Sequence, residues 1–212
     1  MDEVDSLKIN IIKLNQTNPV KKAIFDANVL ISGHFIFAEG KHSLQKLEMD
    51  HLWDDTRSLE VVLGEMKRIA KKIDFDVLCG VPTGGTRLAE AFVKTNSDRK
   101  KLITLKRVPG KGKRDFELTN LECTYLLQKA KRLLIVEDVV SSLGSVNAVV
   151  RLLHKFTNKG VEIHSLAIWR RDEVKPKYGK NVSQHYLIEE VIPSFDQNDC
   201  PYIDCAKIST IK

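Results

Sequence analysis

The sequence predicts an α/β fold: a mainly parallel sheet flanked by helices, with a small N-terminal cap. Three observations predict it. Short apolar runs bounded by turn signals recur at Asp76–Gly80, Leu102–Val108, Lys131–Glu137 and Val161–Trp169, and runs of that length read as strands. Segments of helical period lie between them, an alternation that favours parallel pairing. The run KRLLIVE (Lys131–Glu137) is apolar through its centre, as in a strand buried on both faces of a parallel sheet.

Taken in order, the first fifty residues show no clean period and carry turn signals at Ser32-Gly33 and Glu39-Gly40. They are the candidate cap. From about Asp55 to Lys72, Leu59, Val62, Leu63, Met66, Ile69 and Ala70 recur at helical spacing, with Asp55 or Thr56 available as N-cap. The strand ending at Gly80 runs into VPTGGT, after which Leu88, Ala91 and Phe92 mark a helical face. A helix is expected over Leu118–Ala130 and another on Val146, Val149, Val150 and Leu153. Tyr186–Ile188 reads as a further short strand. No repeat or linker divides the chain, so residues 1–212 are expected to form a single domain, with 1–50 as its cap.

With 212 residues, 42% hydrophobic and 29% charged, the chain can bury a substantial core, which excludes general disorder. No apolar run reaches the roughly 18 residues of a membrane helix. The acidic start MDEVDSLKIN is unlike a secretory signal. Four scattered cysteines make no disulfide framework. A cytoplasmic protein is expected, with no membrane partner.

The net charge of +6 is unevenly spread. Eight basic residues and no acidic ones lie between Arg99 and Arg114. Pro109, Gly110 and Gly112 exclude a helix there, so a mobile basic loop is expected, suited to a polyanion. Basic helices or stacking aromatics, which nucleic-acid readers use, are not evident. Nucleic acid is therefore not the expected partner.

Chemistry concentrates in LLIVEDVVSSLGS (Leu133–Ser145). A buried strand delivers Glu137 and Asp138 to its C-terminal end, where open α/β sheets bind ligands. The small-residue turn then enters a helix, whose free N–H groups and positive dipole end suit a phosphate. The carboxylates suit sugar hydroxyls or a nearby Mg²⁺. Neither a P-loop nor a G-x-G-x-x-G after a strand is present.

LLIVEDVVSSLGS resembles the phosphoribosyl pyrophosphate signature of type I phosphoribosyltransferases. VLCGVPTGGTRLA (Val77–Ala89) resembles the pyrophosphate loop of the orotate branch, the basic segment Lys106–Arg114 its catalytic loop, and FAEGKHS (Phe37–Ser43) its base-covering segment. The four segments come in the family's order across residues 30–155. The resemblance implies transfer of a phosphoribosyl group to a nitrogenous base, orotate first, with release of pyrophosphate. A transferase for another base, or a nucleotide-sensing or RNA-binding regulator, are the alternatives. It implies that Glu137 and Asp138 bind the ribose hydroxyls, and that Val140, Ser141, Ser142, Leu143, Gly144 and Ser145 wrap the 5-phosphate. Thr83, Gly84 and Gly85 would approach the pyrophosphate, while Lys106, Arg107, Lys111 and Lys113 neutralise it, Asp138 being counted with these as catalytic. Phe37, Lys41, His42 and Asn147 are the candidate base contacts, beneath a hood formed by residues 1–50. Mg²⁺ would come with the substrate, near Glu137 and Asp138 and without a dedicated protein ligand set. A homodimer is implied.

Two departures stand out. Leu143 replaces a usual glycine, and Ala38 and Asn147 stand where the orotate branch commonly has lysine and arginine. Cys200 and Cys205, in NDCPYIDCA, read as part of an ordinary C-terminal turn. His34 and His42 read either as base contacts or as incidental surface residues.

Overall fold

The computed structural model describes residues 18–37, 40–95, 100–112, 114–141, 143–172 and 182–201. They fall into two compact units, one of Met1–Val62 with Val191–Lys212 and one of Leu63–Glu190.

The first unit opens with helix α1 (Pro19–Asp26). Proline begins it, and the Asn18 side chain accepts from the N–H groups of Val20 (2.9 Å) and Lys21 (3.2 Å), which satisfies two donors the helix cannot. Val20, Ala23 and Ile24 form its buried stripe. An antiparallel hairpin follows, β1 (Leu30–Ile36) and β2 (His42–Leu47), with a register shift between Ser32 and Phe35. The sequence hid these strands because that irregularity breaks the two-residue alternation. After the short α2 (His51–Asp54), α3 (Thr56–Ile73) matches the predicted helix to within a residue. Phe195 pairs with His42 through both backbone groups, at 2.9 and 2.8 Å.

In the second unit, β3 (Val77–Gly80) leads into α4 (Gly84–Lys94) and β4 (Lys101–Thr104). The expected strand Leu102–Val108 is interrupted at Leu105. Its remainder, β5 (Lys106–Arg107), pairs antiparallel with β6 (Phe116–Glu117). Helix α5 (Asn120–Lys129) carries a capping box of Thr119 and Glu122. Then come β7 (Arg132–Val140), α6 (Gly144–Leu153), β8 (Glu162–Arg170) and β9 (Val182–Glu189). Strand β7 runs three residues beyond the predicted end, and β9 is much longer than Tyr186–Ile188.

One parallel sheet, ordered β4-β3-β7-β8-β9, organises this unit. Leu133 to Val136 are fully buried at its centre, and Leu133 and Ile135 pack with Val146, Val149 and Leu153 of α6 and Leu126 of α5 in the core. Fully buried Trp169 donates its indole N–H to the Glu190 carbonyl (2.8 Å), as a buried indole requires. Among the described residues no helix is long and apolar enough to cross a membrane.

Candidate active site

The order of the strands fixes where a ligand can bind. From β3 the chain turns outward to β4, and from β7 it turns the other way to β8. The loops leaving these neighbouring strands diverge, opening the crevice in which open α/β sheets bind ligands. Both motifs singled out in the sequence sit there.

Strand β7 extends beyond β3, whose last residue Gly80 is level with Val136, so Glu137 and Asp138 project past their neighbour on that side. Glu137 lines a cavity of about 60 Å³ with Arg114, Val140, Ser141, Leu143, Gly144 and Ser145. That is roughly twice the ~30 Å³ share of a water molecule, room for a compact oxyanion. Burial, reinforced by the charge of Asp138, pushes the Glu137 carboxyl well above its usual range. The Asp138 carboxylate lies against Gly84, and one of its oxygens accepts from the Val139 N–H (2.7 Å). Two acids from one strand tip thus reach both the phosphate turn and the start of α4.

The glycines of VPTGGT make this proximity possible. A Cβ on Gly84 would meet the Asp138 carboxylate, and one on Gly85 would meet the Val136 backbone. Thr83 is the N-cap of α4 and stays exposed, and the Pro82–Thr83 peptide is cis.

At the other turn, Leu143 caps α6 with φ of 63°. The left-handed conformation costs a leucine about 1 kcal/mol or more. Yet Leu143 is only 4% exposed and belongs to the core, and burying its side chain contributes about 2 kcal/mol. Packing offsets the backbone cost, which accounts for a leucine where the family usually has glycine.

The expected open basic loop is a β-hairpin, closed by Val108 N–H donating to the Asp115 carbonyl (3.0 Å) and Gly112 N–H to the Asp115 carboxylate (2.9 Å). Glu122 holds its base, accepting from the N–H groups of Thr104 (3.0 Å) and Thr119 (2.9 Å). Arg107 donates to the Pro82 carbonyl (2.7 Å). The Arg114 guanidinium packs directly on Gly144. The two arginines therefore touch the turn after β3 and the start of α6. Sequence reasoning placed Arg114 in the basic run but missed its role, because only the hairpin turn brings it to Gly144. Lys106, opposite Glu117, and Lys111 are exposed and do not line the cavity. Lys113 and Ser142 lie outside the described residues.

The candidate base contacts are divided between the two units. Asn147 is half-buried on α6 and does not line the cavity. In the first unit the Lys41 ammonium pairs with Asp196 (2.7 Å), while His42 is buried against His34 (3.0 Å). The Phe37 N–H donates to the Lys41 carbonyl (2.8 Å). Cys79 on β3 is no nucleophile, since burial pushes its thiol up to about 12.

No family model matches the chain. Curated relatives do. Orotate phosphoribosyltransferase of Thermotoga maritima is 25% identical over 182 residues, covering 86% of this chain and 90% of the relative. That of Caldicellulosiruptor bescii is 22% identical over 176 residues, covering 83% and 86%. The orotate phosphoribosyltransferase structure from Aeropyrum pernix superposes with a TM-score of 0.61 at 18% identity, covering 80% of this chain and 92% of that one. In sequence and in fold the chain resembles the type I phosphoribosyltransferases. The fold does not separate branches of the family, however. The Giardia lamblia APRTase complexed with 9-deazaadenine gives a TM-score of 0.63 at 14% identity, covering 79% of this chain and 97% of that one. In this chain the acidic strand tip and the glycine turn lie at the crevice between β3 and β7.

Proposed function

We propose that this protein transfers the 5-phosphoribosyl group from phosphoribosyl pyrophosphate to a nitrogenous base, with orotate the first candidate, and releases pyrophosphate. One observation carries the reading: the turns after β3 and β7 converge on the Glu137–Asp138 step, with Arg107 and Arg114 on them. In this reading the two carboxylates accept hydrogen bonds from the ribose hydroxyls. The N–H groups from Val140 to Ser145 hold the 5-phosphate at the positive end of α6, with Arg114 beside them. Thr83, Gly84 and Gly85 offer N–H groups to the pyrophosphate.

The bond from the anomeric carbon to pyrophosphate breaks as the base nitrogen bonds to that carbon. Positive charge builds on the ribose ring and negative charge on the leaving group. Lys106, Arg107 and Lys111 on the hairpin, together with Lys113, stabilise that separation, where one well-placed donor contributes about 3 kcal/mol. Two adjacent acidic side chains supply hard oxygen donors of the kind that suit Mg²⁺. When bound, the ion supplies Lewis-acid polarisation of the departing pyrophosphate.

The curated relatives' names support orotate. Phe37, Lys41, His42 and Asn147 stay the proposed base contacts on the family resemblance alone. With neither Ala38 nor Asn147 basic, the chain has no cation at the two positions where the orotate branch commonly carries one. The experiment is pyrophosphate release with Mg²⁺, phosphoribosyl pyrophosphate and a panel of pyrimidine and purine bases. Release with orotate is the expected result. Release with another base alone replaces the acceptor, and no release with any base overturns the transferase reading in favour of a regulator. A homodimer belongs to the proposal on the family resemblance; sedimentation at the 24.1 kDa of one chain contradicts it.

A further inference from the structure

A side-chain cluster in the first unit offers chemistry of a different kind. His34 on β1, His42 on β2 and Cys200, just after the turn Gln197–Asp199, bring ligand-type atoms together from distant parts of the sequence. His34 Nε2 lies 3.0 Å from His42 Nδ1 and 3.4 Å from Cys200 Sγ. All three atoms lie within 4.8 Å of one another. We propose that His34, His42 and Cys200 bind a divalent transition metal of the zinc class.

The two short distances are close to those between ligands around one ion. With Zn–N of about 2.0–2.1 Å and Zn–S of about 2.3 Å, tetrahedral geometry separates two nitrogens by ~3.3 Å and nitrogen from sulfur by ~3.6 Å. Both measured separations lie within about 0.3 Å of these. The arrangement also makes an awkward hydrogen-bond network. A ring nitrogen carries either one proton or one lone pair, so His34 Nε2 is poorly able to serve His42 and Cys200 at once. A central cation takes a lone pair from each atom.

Backbone structure holds the three in place. The register shift between Ser32 and Phe35 is the kind of bulge that re-aims a side chain, here that of His34. His42 is 3% exposed and paired with Phe195 through its backbone. The Ser43 hydroxyl donates to the Pro193 carbonyl (2.8 Å), and Lys41 pairs with Asp196 (2.7 Å). Both fix the segment that ends at Cys200. Two imidazoles and a thiolate favour zinc over magnesium, so this chemistry differs from that of the Glu137–Asp138 step. Three protein ligands leave a fourth position open. The bound ion would staple the segment 191–200 to the β1–β2 hairpin, adding binding energy to folding energy.

The test uses the full chain, stripped with a chelator and titrated with Zn²⁺ by calorimetry and Co²⁺ by absorption. The proposal expects one equivalent of either metal, a thiolate-to-cobalt charge-transfer band, and a melting temperature several degrees higher with Zn²⁺. Cys200→Ser should abolish the band, and both it and His34→Gln should weaken Zn²⁺ binding at least tenfold. The wild-type cobalt spectrum requires no variant, so a misfolded variant leaves the test intact. No band in the wild-type protein, or a band that persists in Cys200→Ser, overturns the proposal.

Discussion

Glu137→Gln is expected to stabilise the ligand-free protein above about pH 5 while weakening its binding of phosphoribosyl pyrophosphate. The Glu137 carboxyl is 9% exposed. Burial, and after it the negative charge of Asp138, raises it well above its ordinary 4.5. At a pH where the unfolded chain has released this proton, the folded chain still holds it. The group's contribution to stability therefore falls as pH rises from 4.5 through the raised folded value. Glutamine keeps the shape and has no such proton to lose. The variant's advantage should be near zero at pH 4 and open as pH rises, reaching on the order of 2 kcal/mol, or about 4–8 °C in Tm. A ribose hydroxyl bonded to this carboxyl is worth about 0.5–1.5 kcal/mol, so affinity should fall roughly 2- to 10-fold. Scanning calorimetry across pH and titration calorimetry read the two effects. Equal melting temperatures at every pH, or unweakened binding, would remove Glu137 from the role assigned to it.

Gly85→Ala should be strongly damaging for a single added methyl group. The added carbon would run into the Val136 carbonyl group, whose carbon is 3.1 Å from it, with the Glu137 Cα at 3.2 Å. These atoms are backbone of the central strand, flanked by β3 and β8, and cannot give way as a side-chain end would. Overpacking of this kind costs about 1–3 kcal/mol or more. Turnover should suffer further, because the first turn of α4 carries the N–H groups proposed for pyrophosphate and a 1 Å displacement can cost about 100-fold. Gly64→Ala is the control. Gly64 is exposed within α3, and a Cβ there meets nothing within 4 Å, so this change should add about 0.5–1 kcal/mol of stability. Parallel denaturant melts and rates on both variants check the contrast; an intact, active Gly85→Ala protein would contradict the packing described.

What could be read in the sequence was what repeats locally. The apolar stripe of α3, the buried run of β7 and the glycine turn after β3 each come from neighbouring residues, and each lies where it was expected. The acidic pair and the small-residue turn were legible for the same reason. Features set by distant partners were not. The β1–β2 hairpin lacks alternation because of its irregular register, and the two-residue strands β5 and β6 are too short to show a period. Strand β9, VSQHYLIE, is mostly half-buried and reads as neither face of an amphipathic strand. Arg114 reaches Gly144, and Cys200 reaches His34 across 166 positions, only because the chain folds back. Leu143 was legible as an oddity, but its burial, which offsets a left-handed backbone, required the core to be seen.

The most direct measurement is amide NMR of the full chain titrated with phosphoribosyl pyrophosphate and Mg²⁺. Saturable shifts are predicted at Gly84 and Gly85 on one turn and at Ser141, Gly144 and Ser145 on the other, all following a single binding curve. Shifts confined to the exposed hairpin lysines, or none at either turn, would contradict a phosphoribosyl site between β3 and β7.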